Sequence, residues 1–175
     1  MAGQYPYILE ACDVRRADRP DTSRAKIIET MALPGLTRKT TDFTPGGGVG
    51  TINYAWPQLD AIEPKFGTGG LDLDVLKNYG FADGTRDKWV FAGSIRVPRK
   101  GYVALRAIIE GVVSAWEPDE FSVGNLMKCN HTIQEVSHYE ILLDGEEIVY
   151  YDYDENDARS GGVSWFSATR RALGI

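Results

Sequence analysis

The chain has 175 residues, 43% of them hydrophobic and 11% aromatic, which supports one sizeable core and excludes a chain disordered beyond its ends and glycine-rich loops. Its formal net charge of −6 is the reverse of the clustered Lys and Arg with which a DNA-gripping groove displaces phosphate counterions. It contains no apolar run approaching the roughly 18 residues of a membrane span, and residues 1–10 lack the basic start and apolar stretch of a signal peptide, so a cytoplasmic protein without a membrane anchor is expected.

Residues 1–24 mix Arg15, Arg16, Asp18, Arg19, Pro20 and Asp21 without a helical or strand period, and are expected to form an N-terminal arm or loop ahead of one domain over residues 25–175. Residues 25–33 read as a strand with Ile27, Ile28 and Met31, stopped by Pro34 and Gly35. Residues 36–43 are basic and threonine-rich and lead into the glycine run 46–50. That run reads as a flexible loop, since a phosphate-cradling loop needs a following lysine and helix and residues 51–62 instead alternate as a strand. Ile52, Tyr54 and Trp56 share one face of that strand, and Pro57 is expected to bend it or mark an edge. Residues 67–70 read as a break and 71–79 as a helix, with Asp72 and Asp74 in its first turn and Gly80 as its cap.

The next elements read as antiparallel β: a strand over 89–97, a basic turn at Arg99 and Lys100, and a strand over 102–109 that Gly111 breaks before a short continuation over 112–116. Residues 117–128 read as a loop and 130–143 as a long strand. Asp144–Gly145 is the clearest turn signal, because a two-residue hairpin turn needs positive φ at its centre, and residues 146–153 return as its partner strand. After an acidic stretch at 152–157, residues 163–173 read as a short helix capped by Gly174, with Arg170 and Arg171 suited to its C-terminal end. The expected fold is mainly β: a sandwich or partly closed barrel with one or two flanking helices.

Residues with catalytic or metal-binding chemistry are sparse. His131 and His138 are seven apart, on opposite faces of a strand, and read as isolated polar side chains. The carboxylates Asp144, Glu146 and Glu147, and Asp152, Asp154 and Glu155, read as solvated loop charge around turns. Neither Ser164 nor Ser167 lies in a nucleophile elbow. Cys129 and His131 share a strand face, a weak signal for a thiol nucleophile. Cys12 and Cys129 read as two unrelated thiols or, in the sharper reading, a disulfide or inter-subunit crosslink formed outside the cell. Tyr150, Tyr151, Tyr153, Trp165 and Phe166 read as core on one face and interface on the other, with a stacking platform for a sugar or base as the alternative. No catalytic, cofactor-binding or metal site is expected.

Three segments, in order, resemble the major tail tube proteins of contractile-tailed bacteriophages. They are Leu33-Pro-Gly-Leu-Thr-Arg-Lys-Thr40 with its glycine run, the hairpin His138-Tyr-Glu-Ile-Leu-Leu-Asp-Gly-Glu-Glu-Ile-Val149 with Asp152 after it, and the ending Arg170-Arg-Ala-Leu-Gly-Ile175. The resemblance covers residues 25–175. It departs from the family in the longer charged arm, in Gly35, and in Ser160-Gly-Gly-Val163 before the last helix.

The resemblance implies a structural virion protein and not an enzyme. Six copies would form a ring whose strands join a ring-wide inner β-barrel, and rings would stack head to tail into the inner tail tube, assembled in the host cytoplasm. Implied partners are the sheath, baseplate, tail terminator and tape measure proteins, with DNA passing through without specific binding. Leu33, Pro34, Leu36, Thr37, Arg38 and Lys39 become candidate inter-subunit contacts, with Arg38 and Lys39 pairing acids on a neighbour. A tube subunit of a headless contractile particle would share these features. Readings from other classes are a carbohydrate-binding module using the tyrosines and a small hydrolase using Cys129 with His131.

Overall fold

In chain order the strands and helices of the computed structural model are β1 (Ile8–Arg16), β2 (Ile28–Ala32), β3 (Arg38–Phe43), β4 (Ile52–Leu59), β5 (Lys65–Gly69), α1 (Leu73–Lys77), β6 (Asp87–Val97), β7 (Gly101–Pro118), β8 (Lys128–Leu143), β9 (Glu146–Asp152), β10 (Asp157–Ser160), β11 (Val163–Ser164) and α2 (Ser167–Leu173). The structure describes residues 5–77 and 86–174. The expected helix residue Tyr79 and cap Gly80 lie outside them.

Seven strands run antiparallel in the order β1-β6-β7-β8-β9-β10-β11. Short connections explain the order: β6 and β7 are joined by a three-residue turn, and β8 and β9 pair from Leu143↔Glu146, leaving only Asp144 and Gly145 between them. Both turn residues have positive φ, 54° and 84°, the conformation the Asp-Gly pair was expected to supply. β8 is long and bent. Its first half, residues 128–132, pairs with β5 on the edge that β9 occupies further along, and β5 in turn pairs with β2. This branch folds back over the inner face of the main sheet, so that Phe66 of β5 meets Trp89 and Phe91 of β6 with ring centroids 5.8 and 5.9 Å away. The result is a sandwich that curls on itself, with Val14, Phe66, Trp89, Phe91, Ala107, Ile109, Ile133 and Tyr139 in its core.

The inner and outer faces follow from strand alternation. On β6 the residues Trp89, Phe91, Gly93, Ile95 and Val97 are buried while those between them are partly or fully exposed. A buried ionic network closes one side of the core. The Arg24 guanidinium pairs with Asp72 and with Asp74 (2.8 Å), and that of Arg16 pairs with Asp74 (2.9 Å) and Asp87. Both arginines lie over the Trp89 ring, at 5.2 and 4.8 Å. Asp72 also accepts hydrogen bonds from the amides of Asp74 and Val75, capping α1. Burial raises the Asp74 pKa, but its bonds to Arg16 and then Arg24 outweigh this and hold it below the usual carboxylate value.

Several expectations change. Residues 8–16 are not an arm but the edge strand β1, paired along β6. Glycines 67 and 111 do not end strands, although the β7–β8 pairing shifts register between Glu110 and Val112. Gly67 lies inside β5, where a Cβ would sit 2.5 Å from the Thr30 hydroxyl, and Gly111 lies inside β7, where a Cβ would sit 2.8 Å from the Gln134 carbonyl oxygen. They are places where a neighbouring strand comes too close for a side chain. The acidic stretch leads into two short strands, β10 and β11, the second of which takes the start of the helix expected over 163–173; the helix itself begins at Ser167 and is capped by Gly174 at φ 75°.

Candidate functional site

The segment between β2 and β5 holds a group of exposed large apolar side chains. Residues 38–43, expected within a loop, form β3, which pairs with the expected strand β4 in a two-stranded sheet, and neither strand pairs with a third among the described residues. The register sets Thr41 opposite Tyr54 and Phe43 opposite Ile52. Alternation then places Phe43, Ile52, Tyr54 and Trp56 on one face, with Thr40, Asp42, Asn53 and Ala55 on the other. The polar face is held by Asn53 donating to Asp42, and Trp56 donates its ring N–H to the Thr41 hydroxyl at 2.8 Å. Pro57 lies in the bulge between the Arg38↔Leu59 and Thr40↔Ala55 pairs, which accommodates its missing N–H.

This sheet is amphipathic, yet its apolar face is not covered. Phe43 is 55% exposed, Ile52 and Tyr54 54%, and Trp56 50%. Four large apolar side chains held side by side in water form a patch of the kind that marks a protein–protein contact. The expected sharing of one strand face by Ile52, Tyr54 and Trp56 is observed, but that face points outward from the subunit.

The six candidate contact residues divide at the foot of the hairpin. Leu33 and Leu36 pack against the subunit's own core, and the Pro34 carbonyl accepts a hydrogen bond from the buried Tyr139 hydroxyl at 3.1 Å. Thr37, Arg38 and Lys39 are exposed. The Thr37 carbonyl accepts the Asp60 amide (2.9 Å), closing the hairpin base, and the Arg38 guanidinium lies 5.1 Å from the Trp165 ring centroid, tying that base to the C-terminal segment.

The remaining candidates are held inside the subunit. Cys12 and Cys129 are free thiols on β1 and β8. Burial, then the Asp13 carboxylate, pushes the Cys12 thiol pKa up, which lowers its thiolate fraction. Cys129 and His131 are both fully buried, so a substrate has no path to a nucleophile there. His138 is not isolated, since its Nδ1 lies 3.0 Å from Asp152. Tyr150 is buried, covered by Arg159 at 3.8 Å from its ring centroid and bonded through its hydroxyl to Glu155, so this ring is closed to stacking, while Tyr153 is exposed. Glu147 pairs with Arg159 through both oxygens, at 2.8 and 3.0 Å, and the first of these bonds leads the causes that hold its pKa low. The expected solvated charge is therefore partly spent in ordered pairs. Among the described residues no three His, Cys, Asp or Glu side chains are grouped to hold a metal ion, and no helix is long and apolar enough to cross a membrane.

The family model of phage tail tube protein FII matches residues 21–174. No curated protein matches the chain. Among solved structures, a chain of an extracellular contractile injection system, in its sheath-tube complex in the extended state, is similar over 79% of this chain and 93% of its own. The TM-score is 0.55 and the identity 8%. A chain of the tube-terminating cap of the anti-feeding prophage is similar over 81% of this chain and 94% of its own, with a TM-score of 0.57 and 11% identity. A chain from the sheath/tube terminator of the first system is similar over 81% of this chain and 99% of its own, with a TM-score of 0.55 and 9% identity. At these identities the likeness is one of fold.

Proposed function

The chain belongs to the family of phage tail tube protein FII, and on that premise we propose that it acts by polymerising: hexameric rings stack into the hollow inner tube of a contractile tail. The observation that supports this reading is the β3–β4 sheet, whose apolar face has no cover in the subunit. A single copy gains nothing from holding four large apolar side chains in water, whereas a neighbouring copy that covers them removes their surface from solvent.

In this reading each copy's hairpin lies against a neighbour, and the strands of the main sheet join those of adjacent copies in a ring-wide inner barrel that leaves no exposed edge. Arg38 and Lys39, at the foot of the hairpin, pair with acids of the copy it touches. Sheath and terminator proteins, of the kinds present in the structurally similar assemblies, are the expected partners, together with a baseplate, and with the tape measure protein and then DNA in the lumen. The acidic balance of the chain suits a conduit to which DNA phosphate does not adhere.

Negative-stain electron microscopy of the purified protein, sized in parallel by light scattering, tests the reading. Six-fold rings or hollow rods are expected, directly or after addition of seed tubes or baseplate. A protein that stays monomeric under all three conditions overturns it. Reversal of charge in R38E/K39E is expected to impair assembly while the monomer stays folded, its melting midpoint lowered only slightly by loss of the Arg38–Trp165 contact. Normal tubes from that variant would remove these two side chains from the contact.

A further inference from the structure

The two ends of β7 carry exposed loops of opposite character. At its start, the β6–β7 turn presents Arg99 and Lys100, both exposed. Arg99 adopts φ 67°, a conformation uncommon for a residue with a Cβ, and the turn is closed by the Lys100 amide donating to the Val97 carbonyl at 3.0 Å. Holding a long cationic side chain at such a position has no evident use in the subunit beyond a contact with Tyr5, which lies 5.8 Å from the guanidinium. Around the turn, Tyr7 and Tyr102 are 60% and 68% exposed. The nearby β8–β9 turn carries Asp144 and Glu146, so the positive charge is confined to the β6–β7 turn.

At the other end of β7, the loop 119–127 begins with Asp119 and Glu120 and exposes Phe121, Val123 and Leu126. It is an ordered turn: the Asp119 amide donates to the Lys128 carbonyl at 2.9 Å, and the Asn125 side chain donates to the Ser122 hydroxyl at 2.6 Å. Lys128, the cation at its foot, is paired with Glu29 at 2.7 Å, which leaves the acids of the loop in excess. One end thus offers two cations among exposed tyrosines, beside the acids of the β8–β9 turn, and the other two anions among exposed aliphatic and aromatic side chains.

We infer that these ends are complementary faces of one head-to-tail contact, in which the β6–β7 turn of one copy docks on the 119–127 loop of the next. The inference rests on the tube reading and specifies its stacking contact. Because the two faces differ and lie at opposite ends of an 18-residue strand, the contact is heterologous and repeats along an axis without closing. The charge pairs set register and polarity, and the apolar groups beside them supply the buried area.

The test uses the full-length chain in three samples beside wild type: R99E/K100E, D119K/E120K, and the two variants mixed in equal amounts. All four substituted positions are exposed, so melting midpoints close to wild type are expected and serve as the folding control. Each variant alone is expected to give rings or single subunits without tubes. The mixture is expected to regain tubes, because one variant keeps the native acidic end for the other's native basic end, and the two reversed ends are again opposite in sign. Tubes of wild-type length from either variant alone overturn the inference while leaving the tube reading intact, as does loss in both variants without recovery in the mixture. A wild-type protein that forms neither rings nor tubes with seeds present removes the tube reading itself.

Discussion

His131 occupies the interior of β8 with no exposed surface, its ring stacked 4.7 Å from that of Phe66, and neither of its nitrogens has a hydrogen-bond partner among the described residues. Burial disfavours the imidazolium, Asp72 favours it and Arg24 opposes it, and the pKa falls from 6.5 to about 4. The unfolded chain therefore takes up a proton between those values that the folded chain refuses. Stability is full above about pH 6.5 and is lost as pH falls toward 4, by up to roughly 3 kcal/mol for this one group. H131F keeps a ring against Phe66 and removes both unpaired nitrogens. It should raise neutral-pH stability by about 1 kcal/mol and flatten the fall in melting midpoint between about pH 7 and about pH 4.5. An equally steep fall in the variant would assign the acid sensitivity to the carboxylates, such as Asp74, whose pKa is held low in the fold. Sequence alone made His131 an isolated polar side chain, because spacing separates faces but does not say which face is dry.

At the scale of elements, the legible parts were those with local signals. The Asp144–Gly145 hairpin, the strands on either side of Arg99–Lys100 and the Gly174-capped helix each carry their own turn or capping residues. What was not legible depended on neighbours. β1 lacks an apolar rhythm because Arg16, on its inner face, is buried as a cation over Trp89 and paired with Asp74. β3 lacks one because neither of its faces is covered in the subunit. The glycines make the point quantitatively. A Cβ at Gly111 would meet the Gln134 carbonyl oxygen and the Ile133 side chain, each at 2.8 Å, whereas one at Gly35 meets nothing within 4 Å. A backbone carbonyl held in a strand ladder cannot swing aside, so G111A should destabilise the subunit by about 1–3 kcal/mol, and G35A should change it by less than about 0.5 kcal/mol. Urea unfolding of the two variants checks this, and equal effects would mean that β7 and β8 can separate at little cost where their register shifts between Glu110 and Val112.

For the whole molecule, the decisive division is between a body that satisfies itself and a hairpin that does not. The core, the Arg16–Arg24 network and the paired acids of β9 and β10 all find partners within one copy. The strands of the β3–β4 sheet pair only with each other among the described residues, and its foot reaches the body through Arg38 on Trp165. An isolated two-stranded hairpin is marginal in water, so this one is expected to be ordered fully only when its apolar face is covered. Replacing Phe43 and Tyr54 by serine removes the centre of that face without touching the core. F43S/Y54S should leave the subunit's unfolding free energy within about 0.5 kcal/mol of wild type. It should also prevent association, seen as the loss of rings and rods in the microscope and of the large species in light scattering. The pair of measurements separates the two roles a side chain can have here. A loss of stability would show that the hairpin leans on its own body, and unchanged tubes would show that its apolar face is not what neighbouring copies grip.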